Sequence, residues 1–484
     1  MTLLLLFALI ELHLAYWHKT KSENQVQMVL PPLPLDLPDD AYPLVTVQLP
    51  VFNEQYVAER VIDAVAAFDY PRSRFSVQVL DDSTDLTLQI TRACVEKHAA
   101  NGLDIVLLHR IQRESYKAGA LQAALASAKG EWILIFDADF VPLPNFLRHL
   151  AAHFSDADPA LAAIQVPWAH LNANSSWLTQ LQAFFLDFHF GIEQTARYSA
   201  NLFLHFNGTA GAWRKSAIEA SGGWQGDTLT EDIDLSYRAQ LAGWKIKYVE
   251  ALSAAAELPP NLPAFFSQQH RWIKGGAETA RKHIWSVLRS RQPFVVKIHA
   301  AYHLLAGSTY LVSCYLLLMA VFAIHFDFAF LQKNAAFPLF AFVLLNSILV
   351  WVFYQSAQKK QMPLQKFMWL MSLFLVFSLG LSLRNGWACL QGWLGWRSAF
   401  VRTPKFAVSD NKPLPNTSPN SQAYIPFGQI PFFTLLEGLL AVFFAIQMGF
   451  LFWQGSYIGA MLLLLPVLGL GLVSGATLWQ GKQF

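Results

Sequence analysis

Two stretches decide the fold: Phe75-Ser76-Val77-Gln78-Val79-Leu80-Asp81-Asp82-Ser83-Thr84-Asp85 and Trp132-Ile133-Leu134-Ile135-Phe136-Asp137-Ala138-Asp139. Each is a short apolar run of strand character that ends in acids. Carboxylates at the carboxyl ends of parallel strands sit in the crevice where open α/β sheets bind ligands. Working outward, further strands are expected at Leu44–Leu49, Ile105–Leu108, Ala162–Val166 and Lys245–Val249. Helical stretches such as Glu54–Phe68 and Tyr116–Ala128 separate the early strands. Strands interleaved with helices imply right-handed βαβ units, and so a mostly parallel, Rossmann-like α/β sheet over residues 43–275. No Walker A sequence occurs, and no Gly-x-Gly-x-x-Gly follows the first strand. A glycine-rich phosphate cradle is therefore excluded.

The 484 residues exceed one ordinary domain. Charged residues make up 14%, well below the ~25% of soluble proteins. The net charge of +2 carries no pull toward nucleic acid. Cys94, Cys314 and Cys389 lack metal-ligand spacing and read as structural thiols. An N-terminal anchor is expected at 1–20: residues 3–17 are apolar, and the basic residues after them lie on the wrong side for a signal peptide. A Pro-rich linker at 21–42 follows. Residues 276–302, carrying Arg281, Lys282 and Trp285, read as an interfacial amphipathic helix. From 303 to 484 the chain is apolar, with candidate membrane segments at 303–324, 337–354, 367–383, 432–453 and 457–478. The loop with Lys359, Lys360 and Lys366 is basic, and so is the one with Arg384, Arg397, Arg402, Lys405 and Lys412. If both are cytoplasmic, segment 367–383 cannot cross, and 367–396 lies at the interface or re-enters. The expectation is an integral protein of the plasma (inner) membrane with its α/β domain in the cytoplasm.

Asp137 and Asp139 share one side of a strand end. Such hard oxygen ligands suit Mg²⁺ or Mn²⁺ held with a substrate diphosphate, although a solvated turn has the same composition. Asp81, Asp82 and Asp85 crowd a second strand end, where Asx turns or caps are the bland alternative. Asn53 and Glu54 follow the first strand, again with capping as an alternative. Lys117, near a helix start, could face a phosphate. Glu231 and Asp232 could supply a general base or, with Thr230, merely cap the helix that follows. Arg271 offers bidentate phosphate recognition, and Trp272 a flat face for a sugar ring.

As an ordered set these stretches resemble the membrane-bound family-2 glycosyltransferases with a GT-A catalytic domain, in the cellulose-synthase-like group of mannan and glucan synthases. The resemblance rests on Gln48 to Glu54, Val79 to Asp85, Tyr116 to Ala120, Phe206 to Gly211 and Gln268-Gln269-His270-Arg271-Trp272. It implies that Asn53, Glu54, Asp82, Lys117, Asp137 and Arg271 bind a nucleotide-diphosphate sugar of the UDP-glucose or GDP-mannose class. It also implies that Asp137 and Asp139 hold Mg²⁺ or Mn²⁺, and that Asp232 is the base, beside Glu231. Phe206, Asn207, Gly208, Gln268 and Trp272 would border the acceptor. The stretch 397–412 resembles a gating loop through Phe400, Thr403 and Lys405, with Arg402 and Pro404 departing from the pattern. The function so implied is inverting, metal-dependent transfer to the end of a growing β-linked polysaccharide, processive and coupled to passage through the bilayer. The alternative is a single transfer to a lipid such as diacylglycerol, ceramide or a polyprenyl phosphate. A non-catalytic scaffold is a third possibility, and the full set of acids speaks against it.

Overall fold

The computed structural model describes residues 13–14, 33–34, 37–155, 158–323, 336–398, 400–410 and 429–481. All but residues 13–14 of the anchor expected at 1–20, most of the linker and Lys412 lie outside the described residues. The first half of the domain runs β1 (Val45–Val51), α1 (Ala58–Ala66), β2 (Phe75–Asp81), α2 (Thr87–Ala100), β3 (Ile105–His109), α3 (Tyr116–Leu125) and β4 (Trp132–Ile135). There follow α4 (Phe146–Ser155), β5 (Leu161–Gln165), β6 (Trp168–His170), α5 (Trp177–Phe188) and α6 (Thr195–Ser199). The second half closes with β7 (Gly211–Arg214), α7 (Lys215–Ala220), α8 (Glu231–Leu241), β8 (Lys245–Tyr248) and β9 (Ala254–Ala256).

Seven strands form one sheet in the order β3-β2-β1-β4-β7-β5-β8. β1 pairs in parallel with β2 and β4, and β2 with β3, so their carboxyl ends share an edge. β7 runs antiparallel to both neighbours. It was not expected, because Gly211-Ala212-Trp213-Arg214 is short and has no β-branched residue.

The sequence of β1, Val45-Thr46-Val47-Gln48-Leu49, alternates like a strand with one face in water, yet both faces are buried. Its apolar side packs with Val61, Ile62 and Val65 of α1. On the other side polar groups pair in a chain: Gln48 donates to Gln78 at 2.9 Å, and Gln78 to Ser127 at 3.0 Å. Buried polar groups are tolerated when paired in this way.

Beyond the domain, α9 (Leu262–Arg289) is one continuous helix of 28 residues, so the expected boundary at residue 275 falls inside it. Pro293 breaks the chain before α10 (Phe294–Leu305), which leads into α11 (Thr309–Ala323). Next come α12 (Ala336–Lys359), α13 (Leu364–Gly380), α14 (Ser382–Leu394), α15 (Gln429–Trp453) and α16 (Tyr457–Gly481). Phe294–Val321, Phe432–Trp453 and Gly459–Trp479 are long and apolar enough to cross a membrane, while α13 and α14 form an apolar pair bent by 54°.

That bent pair packs against the α/β domain. Phe367, Phe374 and Phe377 of α13 meet Phe184, Phe185 and Trp177 of α5, with ring centroids 5.6 to 6.0 Å apart. From α14, Gln391 pairs with His270 of α9 at 2.9 Å. Just before α13, Lys359 pairs with Glu250 at 2.9 Å and Lys360 with Asp187 at 3.3 Å. Both ends of the pair are thus tied to the domain. In vesicles, cysteines replacing Lys366 and Arg397 should both react from the side that labels the α/β domain. Labelling of Arg397→Cys from the opposite side alone would mean that the pair crosses.

Candidate active site

One cleft opens at the carboxyl edge of β1, β2 and β4, and residues from many separate stretches of chain line it. Glu54, Asp82, Lys117, Asp137, Asp139, Asn207, Gly208, Glu231, Asp232, Gln268, Arg271, Trp272, Phe400, Thr403 and Lys405 all reach it. Two expected residues do not. Phe206 is fully buried against Trp213, with ring centroids 5.7 Å apart, so it belongs to the core. Asn53 turns away: its side chain accepts from Thr84 N at 2.9 Å, and its own N–H donates to Ser83 at 2.8 Å, pinning two strand-end loops together. Asn53 adopts φ 52°, a left-handed conformation that asparagine tolerates better than most residues.

The acidic run after β2 divides its labour. Asp81 accepts from Ser83 N at 2.7 Å, an Asx turn, and Asp85 accepts from Thr87 N at 2.9 Å at the start of α2. The bland reading therefore holds for those two. Asp82 faces the cleft and is gripped by Arg110 through two bonds, of 2.8 and 2.6 Å. Such a fork fixes the carboxylate in orientation as well as charge.

The other acids are held by cations from distant segments. Lys117 of α3 donates to Asp137 at 2.5 Å and lies 3.9 Å from Glu231. Burial pulls the Lys117 ammonium down, but Asp137 and Glu231 more than offset it, and its pKa is raised. Lys405 donates to Asp139 at 2.6 Å. Glu54 is pushed up to about 7 by burial, against the pull of Arg402, which lies 3.5 Å away. Burial, and then the charge of Glu231, pushes Asp232 up to about 7 as well.

Thr230 caps no backbone group of α8; its hydroxyl instead bonds that of Thr279 on α9 at 3.0 Å. Gly275 permits that contact, since a Cβ there would meet Thr230 Cγ2 at 2.6 Å. The start of α8, with Glu231 and Asp232, is in this way clamped to the helix that carries Gln268, Arg271 and Trp272.

Residues 400–410 strap across the mouth. Phe400 stacks on Tyr116 at 5.3 Å, with Arg113 and Arg271 against its ring at 5.3 and 5.1 Å. The buried Glu257 accepts from Phe406 N at 2.8 Å and Val408 N at 3.2 Å. Asp410 accepts from Asn174 N at 2.8 Å. Arg110, Arg113, Glu257 and the Arg402–Glu54 pair were not anticipated as site groups. The cations that the sequence did suggest were Lys117 and Arg271 for phosphate, with Lys405 only as part of the stretch resembling a gating loop.

Chemically, the cleft offers an acid pair for a hard cation, further cations for phosphate oxygens, a carboxylate poised to take a proton, and a tryptophan wall. Residues 43–275 match a family model described as "Glycosyltransferase like family 2". The chain is 40% identical over 283 residues to "Glucomannan 4-beta-mannosyltransferase 1" of Oryza sativa subsp. japonica, covering 56% of this chain and 54% of that protein. It is also 40% identical over 272 residues to "Glucomannan 4-beta-mannosyltransferase 2" of Arabidopsis thaliana, covering 55% of this chain and 51% of that one. The chain thus matches about half the length of these curated relatives. Among solved structures, "Mannosyltransferase PcManGT from Pyrobaculum calidifontis in complex with GDP-Man and Mn2+" aligns at 22% identity and a TM-score of 0.49. That alignment covers 73% of this chain and 98% of that one.

Glu257→Ala would leave two strap N–H groups without an acceptor, and each such loss costs ~1–3 kcal/mol when buried. Trypsin cleavage after Lys405, followed by mass spectrometry, should accelerate about tenfold or more in that variant. An unchanged rate would mean that Glu257 does not hold the strap.

Proposed function

Because residues 43–275 are a family-2 glycosyltransferase domain, we propose that the protein transfers mannose from GDP-mannose to the end of a β-linked glycan. The transfer is a single inverting displacement, repeated processively, with the product handed toward the membrane helices. The observation that carries the proposal is the convergence on one cleft of Asp232, the Asp137–Asp139 pair, Lys117, Arg271 and Trp272. The names of the plant relatives favour mannose as the sugar and a polysaccharide as the acceptor.

Asp232 removes the proton from the acceptor hydroxyl as that oxygen attacks the anomeric carbon. A pKa near 7 suits a base that must take up a proton and give it back at neutral pH. Lys117 and Arg271 stand ready for the charge that develops on the leaving diphosphate. Trp272, whose ring centroid lies 6.4 Å from that of Trp168, offers an apolar wall for the acceptor sugar.

The Asp137 and Asp139 carboxylates fit a divalent cation: they are hard oxygen donors on neighbouring positions of one turn, facing the same cleft. Mg²⁺ or Mn²⁺, when bound there, would neutralise charge on the donor diphosphate. Asp137 and Asp139 would hold it, with Lys117 and Lys405 free to turn to phosphate oxygens. The strap would then act as a gating loop that closes over donor, through Phe400, Thr403 and Lys405.

Asp232→Asn should cut turnover by ~10²–10⁴-fold, the usual contribution of a general base, and leave GDP affinity within experimental error. In the wild type the base works only when unprotonated, so kcat/KM should fall as pH drops below about 7 and level off above it. A wild-type rate independent of pH from 5 to 8, or an active Asp232→Asn enzyme, would refute the base assignment. Asp139→Ala, or excess EDTA on the wild type, should abolish transfer while the protein stays folded by circular dichroism. Full activity in EDTA would remove the metal from the account.

A further inference from the structure

The helices that follow Glu54 and Asp82 carry a second group of donor atoms, which the transfer chemistry does not use. Asp63 lies on α1, and Cys94 and His98 lie one turn apart on α2. Residues four apart share a helix face, so Cys94 and His98 together meet Asp63 across the two helices. Cys94 Sγ is 3.8 Å from Asp63 Oδ1, His98 Nε2 is 2.6 Å from the same oxygen, and the three donor atoms all lie within 4.8 Å of one another. Along the sequence the cysteines lack metal-ligand spacing, because here one donor comes from a different helix. Cys94 is only 4% exposed, while the side chains of Asp63 and His98 are 42% and 15% exposed. The sulfur thus forms the floor of the group and the carboxylate its mouth, within reach of an ion from solution.

One sulfur, one imidazole nitrogen and one carboxylate oxygen are donors that suit zinc, whereas Asp137 and Asp139 offer only the oxygens of a hard-cation site. Tetrahedral zinc holds a sulfur and an oxygen ligand ~3.6 Å apart, and a nitrogen and an oxygen ligand ~3.4 Å apart. The first separation is already close to this, and the second has to open by roughly 0.8 Å. Three protein ligands leave the fourth position to water. Without an ion, the Lys97 ammonium takes up part of the negative charge, donating to Asp63 Oδ1 at 3.1 Å. Burial would raise the Asp63 carboxyl, but the bonds from His98 and Lys97 outweigh it, and its pKa is lowered. Burial, and then the charge of Asp63, pushes the Cys94 thiol up to about 12, so the empty group keeps the thiol proton. A divalent cation reverses that balance, since a coordinating thiol is deprotonated outright.

We infer that Asp63, Cys94 and His98 form a Zn²⁺ site, separate from the acid pair in the cleft. On binding, the Cys94 S–H bond breaks, its proton passes to solvent, and the sulfur bonds to the metal. His98 ligates through Nε2 as a neutral ring with its proton on Nδ1, and Lys97 gives up its bond to Asp63. The ion then joins α1 to α2. The site stands apart from the proposed transfer and does not depend on it.

The test titrates full-length protein, purified without a histidine tag and stripped with EDTA, with Co²⁺ as a coloured stand-in for Zn²⁺. The expected result is a sulfur-to-cobalt charge-transfer band with the visible bands of tetrahedral cobalt, lost on adding Zn²⁺ and untouched by excess Mg²⁺. Cys94→Ala should lose the charge-transfer band, while Cys314→Ala and Cys389→Ala keep it. His98→Gln should weaken Zn²⁺ binding by about a hundredfold or more, since even an outer partner of a ligand is worth ~10–100-fold. Lys97→Ala removes the competing ammonium and should tighten binding about two- to fivefold, the worth of an exposed ion pair. Such a gain cannot come from a variant that fails to fold. Absence of the charge-transfer band in wild type overturns the inference, as does a band that survives in Cys94→Ala or that Mg²⁺ displaces. Equal Zn²⁺ affinity in wild type, His98→Gln and Lys97→Ala overturns it too.

Discussion

Seven acids, Glu54, Asp82, Asp137, Asp139, Glu231, Asp232 and Glu257, share one cleft, and their mutual repulsion is the constraint that organises the molecule. Like charges gathered away from bulk water must be matched by cations or lose their charge. Here the cations come from elsewhere in the chain: Arg110 after β3 for Asp82, Lys117 of α3 for Asp137, Lys405 of the strap for Asp139. Where the match is weaker, neutralisation takes over. Glu54 meets Arg402 only at 3.5 Å, and Asp232 has the Glu231 carboxylate as a neighbour; both rise to about 7. The strap is therefore part of the electrostatics of the cleft as well as its cover. A diphosphate with a divalent cation would bring both signs of charge into a field already arranged to receive them.

This constraint also explains what could be read from the sequence. Acids at the ends of apolar runs marked β2 and β4 and the edge where they meet, because parallel strands have few other reasons to end in carboxylates. Chemistry that depends on pairing across long separations left no local trace. Arg110 is an ordinary basic residue until the fold sets its fork on Asp82. Glu257 acts by accepting backbone N–H groups some 150 positions away, which no spacing rule anticipates. Within motifs, identity alone overreached. Asn53 ties two loops and Phe206 fills the core, though each sits beside a residue that does face the cleft, while Asp81 and Asp85 close turns, as the alternative reading of that run allowed. The short antiparallel β7 escaped notice because neighbours, not propensity, make it a strand.

The passage from cleft to apolar helices is continuous. α9 carries Gln268, Arg271 and Trp272 at its start and runs on toward the first apolar span, with α14 packed along it closely enough that Gly392 lies against Lys274 O. From α14, Arg384 reaches Glu437 of α15 through two bonds, of 2.7 and 2.8 Å, and Thr434 at 2.9 Å. Buried ion pairs of this kind contribute little net stability, yet removing one partner is costly because the other charge is left stranded. The pair therefore fixes α15 against the helix that flanks the cleft more than it adds to stability. A product leaving past Trp272 would meet helices whose positions are set by the catalytic domain itself.

The most direct measurement is the product made when the purified protein, in lipid vesicles with Mn²⁺, is given GDP-mannose or, separately, UDP-glucose. The account predicts that GDP-mannose yields a polymer of many sugars that β-mannanase degrades, and that UDP-glucose alone yields far less. A product confined to a single sugar on lipid, or no product from either donor with the cleft intact, would contradict it.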